Sequence, residues 1–220
     1  MFPITKDKFL LKFLGRSLLE HQIERALAAG LSRFVIVSNP QSIKEIEQMA
    51  SRLNNATVQL AVQKEPRGIA DALESAKHLL DEEVIVVNPN DVFQSAAYTS
   101  LLEARSKRSA LSYILGYEVG NYFPGGYLMV GKENELKHIV EKPGRGNEPS
   151  NMINIVVHLH TDPQQLLEHI HHVQTTRDDV YECALDSMIK KGHRLKVVPY
   201  QSFWAPIKYP WHVFGAVRHF

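Results

Sequence analysis

At 220 residues and 44% hydrophobic content, the chain is long enough to bury one full α/β core and too ordinary in composition to be disordered or fibrous. A net charge of +1 calls for neither nucleic acid nor an anionic membrane, and no apolar run is long enough to span a bilayer. A single cysteine, Cys183, rules out an internal disulfide and, with an opening that lacks signal-peptide form, points to the cytoplasm. Residues 2–8 read as a loop. Ser17 followed by Glu20 is a capping box, opening a helix to about Ala29 with Leu18, Leu19, Ile23, Ala26 and Leu27 as its stripe and Gly30 as its stop. The run Arg33–Ser38 is continuously apolar at its centre, the pattern of a strand buried on both faces. A helix over 42–53 and a strand over 57–62 follow. Asp81–Asn88 repeats the buried-strand pattern, and 96–106 reads as a helix with Leu101, Leu102 and Ala104 inward. This alternation predicts a parallel sheet with right-handed crossovers. The second half changes character: strands at 110–119, 126–130, 136–140 and 152–159 come in quick succession, so mixed or antiparallel pairing is expected. Helices from Pro163 to Val173 and from Asp178 or Asp179 to Lys191, then a strand over 194–200, complete the pattern.

The stretch Gln63-Lys-Glu-Pro66-Arg-Gly68-Ile-Ala-Asp71 lies between the 57–62 strand and a helix whose face carries Ile69, Leu73, Ala76, Leu79 and Leu80. Pro66 and Gly68 shape the turn, and glycine lets backbone approach a ligand closely. The amides opening the helix favour acceptor oxygens, and Gln63 supplies one donor and one acceptor, enough to read a pyrimidine edge. On the residues alone, an ordinary strand-to-helix turn stays open. Asp91, just past a strand end, stands where α/β sheets place ligands, and a lone carboxylate suits one face of hydrated Mg²⁺; a turn-capping Asp is the alternative. Gly125-Gly126 permits a sugar ring against backbone, Glu141 can accept from hydroxyls and Lys142 can offset phosphate charge, while two hairpin turns with a surface pair explain the same residues. His158-x-His160 and His169-x-His171-His172 lack a carboxylate or cysteine to close a zinc set, so surface or capping roles are expected. Cys183 reads as a small buried hydrophobe.

The segment Gln-x-x-Pro-x-Gly-x-Ala-Asp-Ala resembles the base-reading segment of the sugar-1-phosphate nucleotidylyltransferases, the family of glucose-1-phosphate thymidylyl- and uridylyltransferases. The resemblance implies that Gln63 and Gly68, with Pro66 between them, bind uracil or thymine. It makes Asp91 the Mg²⁺ ligand, places Glu141, Gly126 and Asn154 at the sugar, and puts Lys142 at its phosphate. Pro3-x-Thr5 and Lys8 are similar to the opening segment, where a lysine binds the triphosphate. The implied fold is a Rossmann-like doubly wound mixed sheet in three αβα layers, of the nucleotide-diphospho-sugar transferase type and read as one domain. The implied reaction transfers a nucleotidyl group from UTP or dTTP to a sugar 1-phosphate; neither the sugar nor the oligomeric state is specified, and a homo-oligomer stays open.

Two departures bear on this. The family's first strand and glycine-rich loop have no counterpart before Met1, and Trp204-Ala205-Pro206 replaces a Trp-x-Asp whose Asp is a second metal ligand. They imply that Met1 is internal to a longer frame, that Asp91 holds the ion alone, and that this chain turns over little. They also favour a rival from another class, a non-catalytic nucleotide-sugar-binding or regulatory protein. A dehydrogenase is disfavoured because no Gly-x-Gly-x-x-Gly follows a strand.

Overall fold

The computed structural model describes residues 7–65, 67–175 and 177–207. After a 3-10 turn at Lys8–Leu10, strands β1 (Lys12–Phe13) and β2 (Arg16–Ser17) form a small hairpin, turned by Leu14 and Gly15 at positive φ. Helix α1 (Leu18–Ala28) starts on the expected capping box: Ser17 Oγ accepts from the Glu20 amide at 3.2 Å, and Glu20 accepts from the Ser17 amide at 2.6 Å. Strand β3 (Arg33–Ser38), helix α2 (Ile43–Ala50), strand β4 (Thr57–Val62) and helix α3 (Ile69–Ala76) follow. Then come β5 (Val84–Val87), β6 (Asp91–Phe93), α4 (Ala96–Ser106), β7 (Ser112–Glu118), β8 (Gly126–Val130) and β9 (Leu136–Glu141). The long strand β10 (Met152–His160), helices α5 (Pro163–His172) and α6 (Val180–Lys190), β11 (Leu195–Tyr200) and β12 (Trp204–Pro206) complete the described chain.

Six strands form a mixed sheet in which β10 pairs antiparallel with β5, β7 and β8, while β11 runs parallel to β7. Alternation along the strands feeds two cores. Ile114 and Val197 face α3, α5 and α6, with Leu73, Leu166 and Leu185, whereas Tyr113 and Leu115 face α4 with Leu101. These are the expected three layers. The neighbours below place this architecture among nucleotide-diphospho-sugar transferase folds.

The first half corrects the sequence reading. Rather than one parallel sheet, among the described residues β3 and β4 form a separate parallel pair, and β5 joins the rest only through antiparallel β10. Phe34–Val37 of β3 and Val84–Val87 of β5 are half-buried, not buried on both faces. Among the described residues each has a strand partner on one edge only. Antiparallel β6 and β12 were not legible as strands; they pair Asp91 with Pro206 and Phe93 with Trp204.

Candidate active site

A cleft of about 280 Å³ opens at the carboxyl ends of β4 and β5. Arg67, Gly68, Asn88 and Asp91 line one wall; Gly125, Gly126, Glu141, Lys142 and Asn154 line the other, with Phe123, Trp204 and the start of α6. Its site lies where open α/β sheets bind ligands, outside the strand ends.

Gly68 caps α3 with φ +87°, and a Cβ there would lie 2.8 Å from Asp178 Oδ1. Two constraints thus demand glycine: the left-handed backbone and the approach of a carboxylate. Gln63, half-buried, is not among the residues that line the cleft and stands beside Gly68. Its amide Nε2 donates to the Gly68 carbonyl at 3.1 Å and to Asp71 Oδ2 at 2.8 Å, which turns Oε1 into the acceptor that remains for a ligand. Pro66, Pro3 and Thr5 lie outside the described residues. Lys8 opens the 3-10 turn beside α1 and is not on the cleft wall.

The three sugar-side positions, far apart in sequence, meet. Gly126 pairs with Glu141 across β8 and β9; a Cβ on Gly126 would sit 2.9 Å from Glu141 Oε2 and 3.4 Å from Asn154 Cβ. The glycine is therefore what lets Glu141 and Asn154 both approach this stretch of backbone. Lys142, at φ +46°, follows the strand and places Nζ 3.2 Å from Glu141 Oε1.

Asp91 is held from both sides. Its Oδ2 accepts from the Trp204 indole N–H at 3.0 Å, and its backbone carbonyl accepts from Gln22 Nε2. Trp204 is fixed in turn by Tyr117 and Phe123, with ring centroids 5.3 and 5.1 Å away. The β6–β12 register puts Pro206 opposite Asp91, where a carboxylate would give a second ligand. Among the described residues no three His, Cys, Asp or Glu side chains gather as a metal set. A single hard oxygen donor beside a phosphate-sized cleft still fits Mg²⁺, which keeps several waters and takes phosphate oxygens.

Several residues at or behind the cleft were missed. Glu182, in the first turn of α6, lines the cleft; burial, with Glu141, Asp179 and Asp178 adding repulsion, pushes its carboxyl up to about 7. Tyr181 lines it too, and ties it to the two histidines of β10. His158 and His160 are fully buried, contrary to the expected surface or capping roles, and both bond Tyr181. Helical spacing around Tyr181-Glu182 showed an amphipathic helix but could not show which end met the cleft. Cys183 is half-buried, its thiol raised by burial and by Asp179, an environment unsuited to a nucleophile.

The family model described as "Nucleotidyl transferase" matches residues 1–205. The chain is 28% identical over 211 residues, 95% of its length, to the "Bifunctional sugar-1-phosphate nucleotidylyltransferase/acetyltransferase" of Sulfurisphaera tokodaii, and covers 49% of that protein. It is 25% identical over 224 residues, 100% of its length, to "Bifunctional protein GlmU" of Methanococcus maripaludis, covering 51% of it. The chain thus spans about half the length of these relatives. Among solved structures, UDP-glucose pyrophosphorylase complexed with UDP-glucose superposes with a TM-score of 0.84 at 18% identity, over 100% of this chain and 92% of that one. At that identity the likeness speaks for the fold.

Proposed function

The chain belongs to the nucleotidyl transferase family, and on that premise we propose that its cleft joins a pyrimidine nucleotide to a sugar 1-phosphate. The observation that carries this is the meeting of Gly126, Glu141 and Asn154 on one wall, facing Gly68 and Asp91 on the other. In the reaction an oxygen of the sugar phosphate bonds to the α-phosphorus of UTP or dTTP. The α–β bridging P–O bond breaks, and pyrophosphate leaves with the electron pair. The chain's part is positioning and charge neutralisation. Gly68 lets the base lie against backbone, and the Gln63 amide, tethered through Nε2, offers Oε1 to the base N–H. Glu141 accepts from sugar hydroxyls, and Lys142 and Arg67 bring positive charge to the phosphates. Asp91 would hold Mg²⁺, whose contribution is to neutralise the phosphate oxygens.

Pyrophosphate release from UTP or dTTP with glucose 1-phosphate tests transfer, and calorimetry tests recognition. UDP- and dTDP-sugars should bind better than ADP- or GDP-sugars; a purine preference would end this reading of Gln63 and Gly68. A second reading has its own support: Glu141 pairs with the Lys142 ammonium, which occupies the charge otherwise meant for the phosphate. Tight UDP-sugar binding without pyrophosphate release would favour that reading, a nucleotide-sugar-binding protein.

A further inference from the structure

Behind the sugar wall of the cleft runs a continuous chain of buried polar side chains. Asn154 Oδ1 lies 2.6 Å from His158 Nε2, and His158 Nδ1 lies 2.8 Å from the Tyr181 hydroxyl. The same hydroxyl is 2.8 Å from His160 Nε2, and His160 Nδ1 is 2.8 Å from Ser112 Oγ. His158, His160 and Ser112 are fully buried and Tyr181 nearly so, while Asn154 reaches the cleft.

The first link requires a distortion. Four residues along a regular strand span roughly 13 Å, yet Asn154 and His158 touch. The ladder with β7 shows why: Ile155 pairs with Leu115 and His158 with Ile114, so β10 advances three residues against one on β7. This bulge foreshortens the strand between the two side chains.

The donor and acceptor roles follow once the Asn154 amide is oriented with Oδ1 toward His158, the orientation of the 2.6 Å contact. The Asn154 carbonyl oxygen only accepts, so His158 Nε2 carries the proton. Burial holds both imidazoles neutral, His160 down to about 3 and His158 well below its ordinary value. A neutral ring has one donor and one acceptor, so His158 Nδ1 accepts from the Tyr181 hydroxyl. That hydroxyl's oxygen accepts from His160 Nε2–H, and His160 Nδ1 accepts from the Ser112 hydroxyl. Every link of the chain then runs in one direction, with the Ile155 backbone as a further partner of the His158 ring, and the amide Nδ2 of Asn154 is the group left for the cleft.

We infer that Ser112, His160, Tyr181 and His158 form a positioning relay that locks the Asn154 amide with its NH₂ toward the cleft, making this a donor that selects an acceptor oxygen on the sugar. The inference rests on the proposed sugar end of the cleft and adds to it the polarity of one contact and the four residues behind Asn154 that set it, of which Tyr181 alone also touches the cleft.

Two measurements on the whole chain test it. Side-chain ¹⁵N spectra of the histidines should show protonated Nε2 and bare Nδ1 in both His158 and His160; Nδ1–H tautomers would mean the relay runs backwards and would overturn the inference. Calorimetry should then compare UDP-glucose with UDP. Tyr181→Phe should weaken UDP-glucose about tenfold, as one lost buried hydrogen bond does, and leave UDP within about twofold. Ser112→Ala, a smaller change at the far end, should do the same about threefold and carries the test if Tyr181→Phe misfolds. Equal weakening of both ligands, or of neither, would reduce these residues to core packing and overturn the inference. Wild-type protein that binds UDP and UDP-glucose equally, with the expected tautomers, would instead end the sugar-site reading and the relay's role toward a ligand with it.

Discussion

Gly68 shows how much one position can decide. Replacement by alanine combines a left-handed φ of +87° with a Cβ 2.8 Å from Asp178 Oδ1. The conformation alone costs about 1–2 kcal/mol, and the carboxylate must also move. Gly68→Ala should therefore lower the melting temperature and weaken UDP-sugar binding together, whereas Gly30→Ala, at a similar φ with open space around it, should lower only the former; equal binding losses in both variants would remove Gly68 from the site. Glu182 makes a prediction of a different kind. Its folded carboxyl titrates near 7, against an ordinary 4.5. The folded state holds this proton more tightly than the unfolded one, so the associated stability is complete below about 4.5 and is lost as pH rises through about 7. Glu182→Gln stays neutral throughout. Melting temperatures of mutant and wild type should diverge across that window, with the mutant the more stable at pH 8; parallel profiles would show that Glu182 is ionised at no cost.

At the scale of elements, the pairing of β6 with β12 supports Asp91 by hydrogen bond and by register. Trp204→Phe keeps an aromatic ring between Tyr117 and Phe123 but removes the indole donor. If Asp91 binds Mg²⁺, that variant should shift the Mg²⁺ concentration needed for half-maximal UTP binding, and Asp91→Asn should abolish the Mg²⁺ dependence. Unchanged dependence in Asp91→Asn would take Asp91 out of the site. This element also shows where a sequence is silent. Helix α1 was readable because its capping box is local, and the strands of the second half because glycine, asparagine and proline punctuate them. The order of Gly126, Glu141 and Asn154 was readable too, though their contact was not. Strands of three residues such as Asp91–Phe93 carry no periodicity, and their pairing across more than a hundred residues is a property of the packed molecule. The His158–Tyr181–His160 contacts were hidden for a related reason. Alternation put both histidines on one face, but whether that face met solvent or α6 depended on helix packing, and the bulge that brings Asn154 to His158 leaves no mark in the residues.

For the whole molecule, the division of strands has a consequence for stability. Within the described residues no backbone ladder joins the β3–β4 pair to the six-stranded sheet. Among those residues, what couples them is side-chain packing. Phe34 touches both the core around Leu101 and the smaller one built from Leu10, Leu19, Ile23, Ile46 and Met49. Helix α1 contributes Ala26 to the first and Ile23 to the second, and α3 packs on β3 and β4 while Leu73 enters the core around Leu185. Such contacts are fewer and less directional than a ladder, and the half-buried strands leave less apolar area to hold the unit shut. Native-state hydrogen exchange should therefore resolve two cooperative units. Amides of β3, β4 and α2 should exchange through a partial opening, at least tenfold faster than those of β7 and β10 at the centre of the mixed sheet. Phe34→Ala, which removes a half-buried ring shared by both cores, should cost about 2 kcal/mol and widen that gap, since it loosens the joint while leaving β7–β10 pairing intact. If UDP-glucose bridges Gly68, which follows β4, and Glu141, the last residue of β9, it should narrow the gap by linking the units through the ligand. One set of protection factors across all strands, shifted uniformly by Phe34→Ala, would show that packing alone fuses the two sheets into a single folding unit.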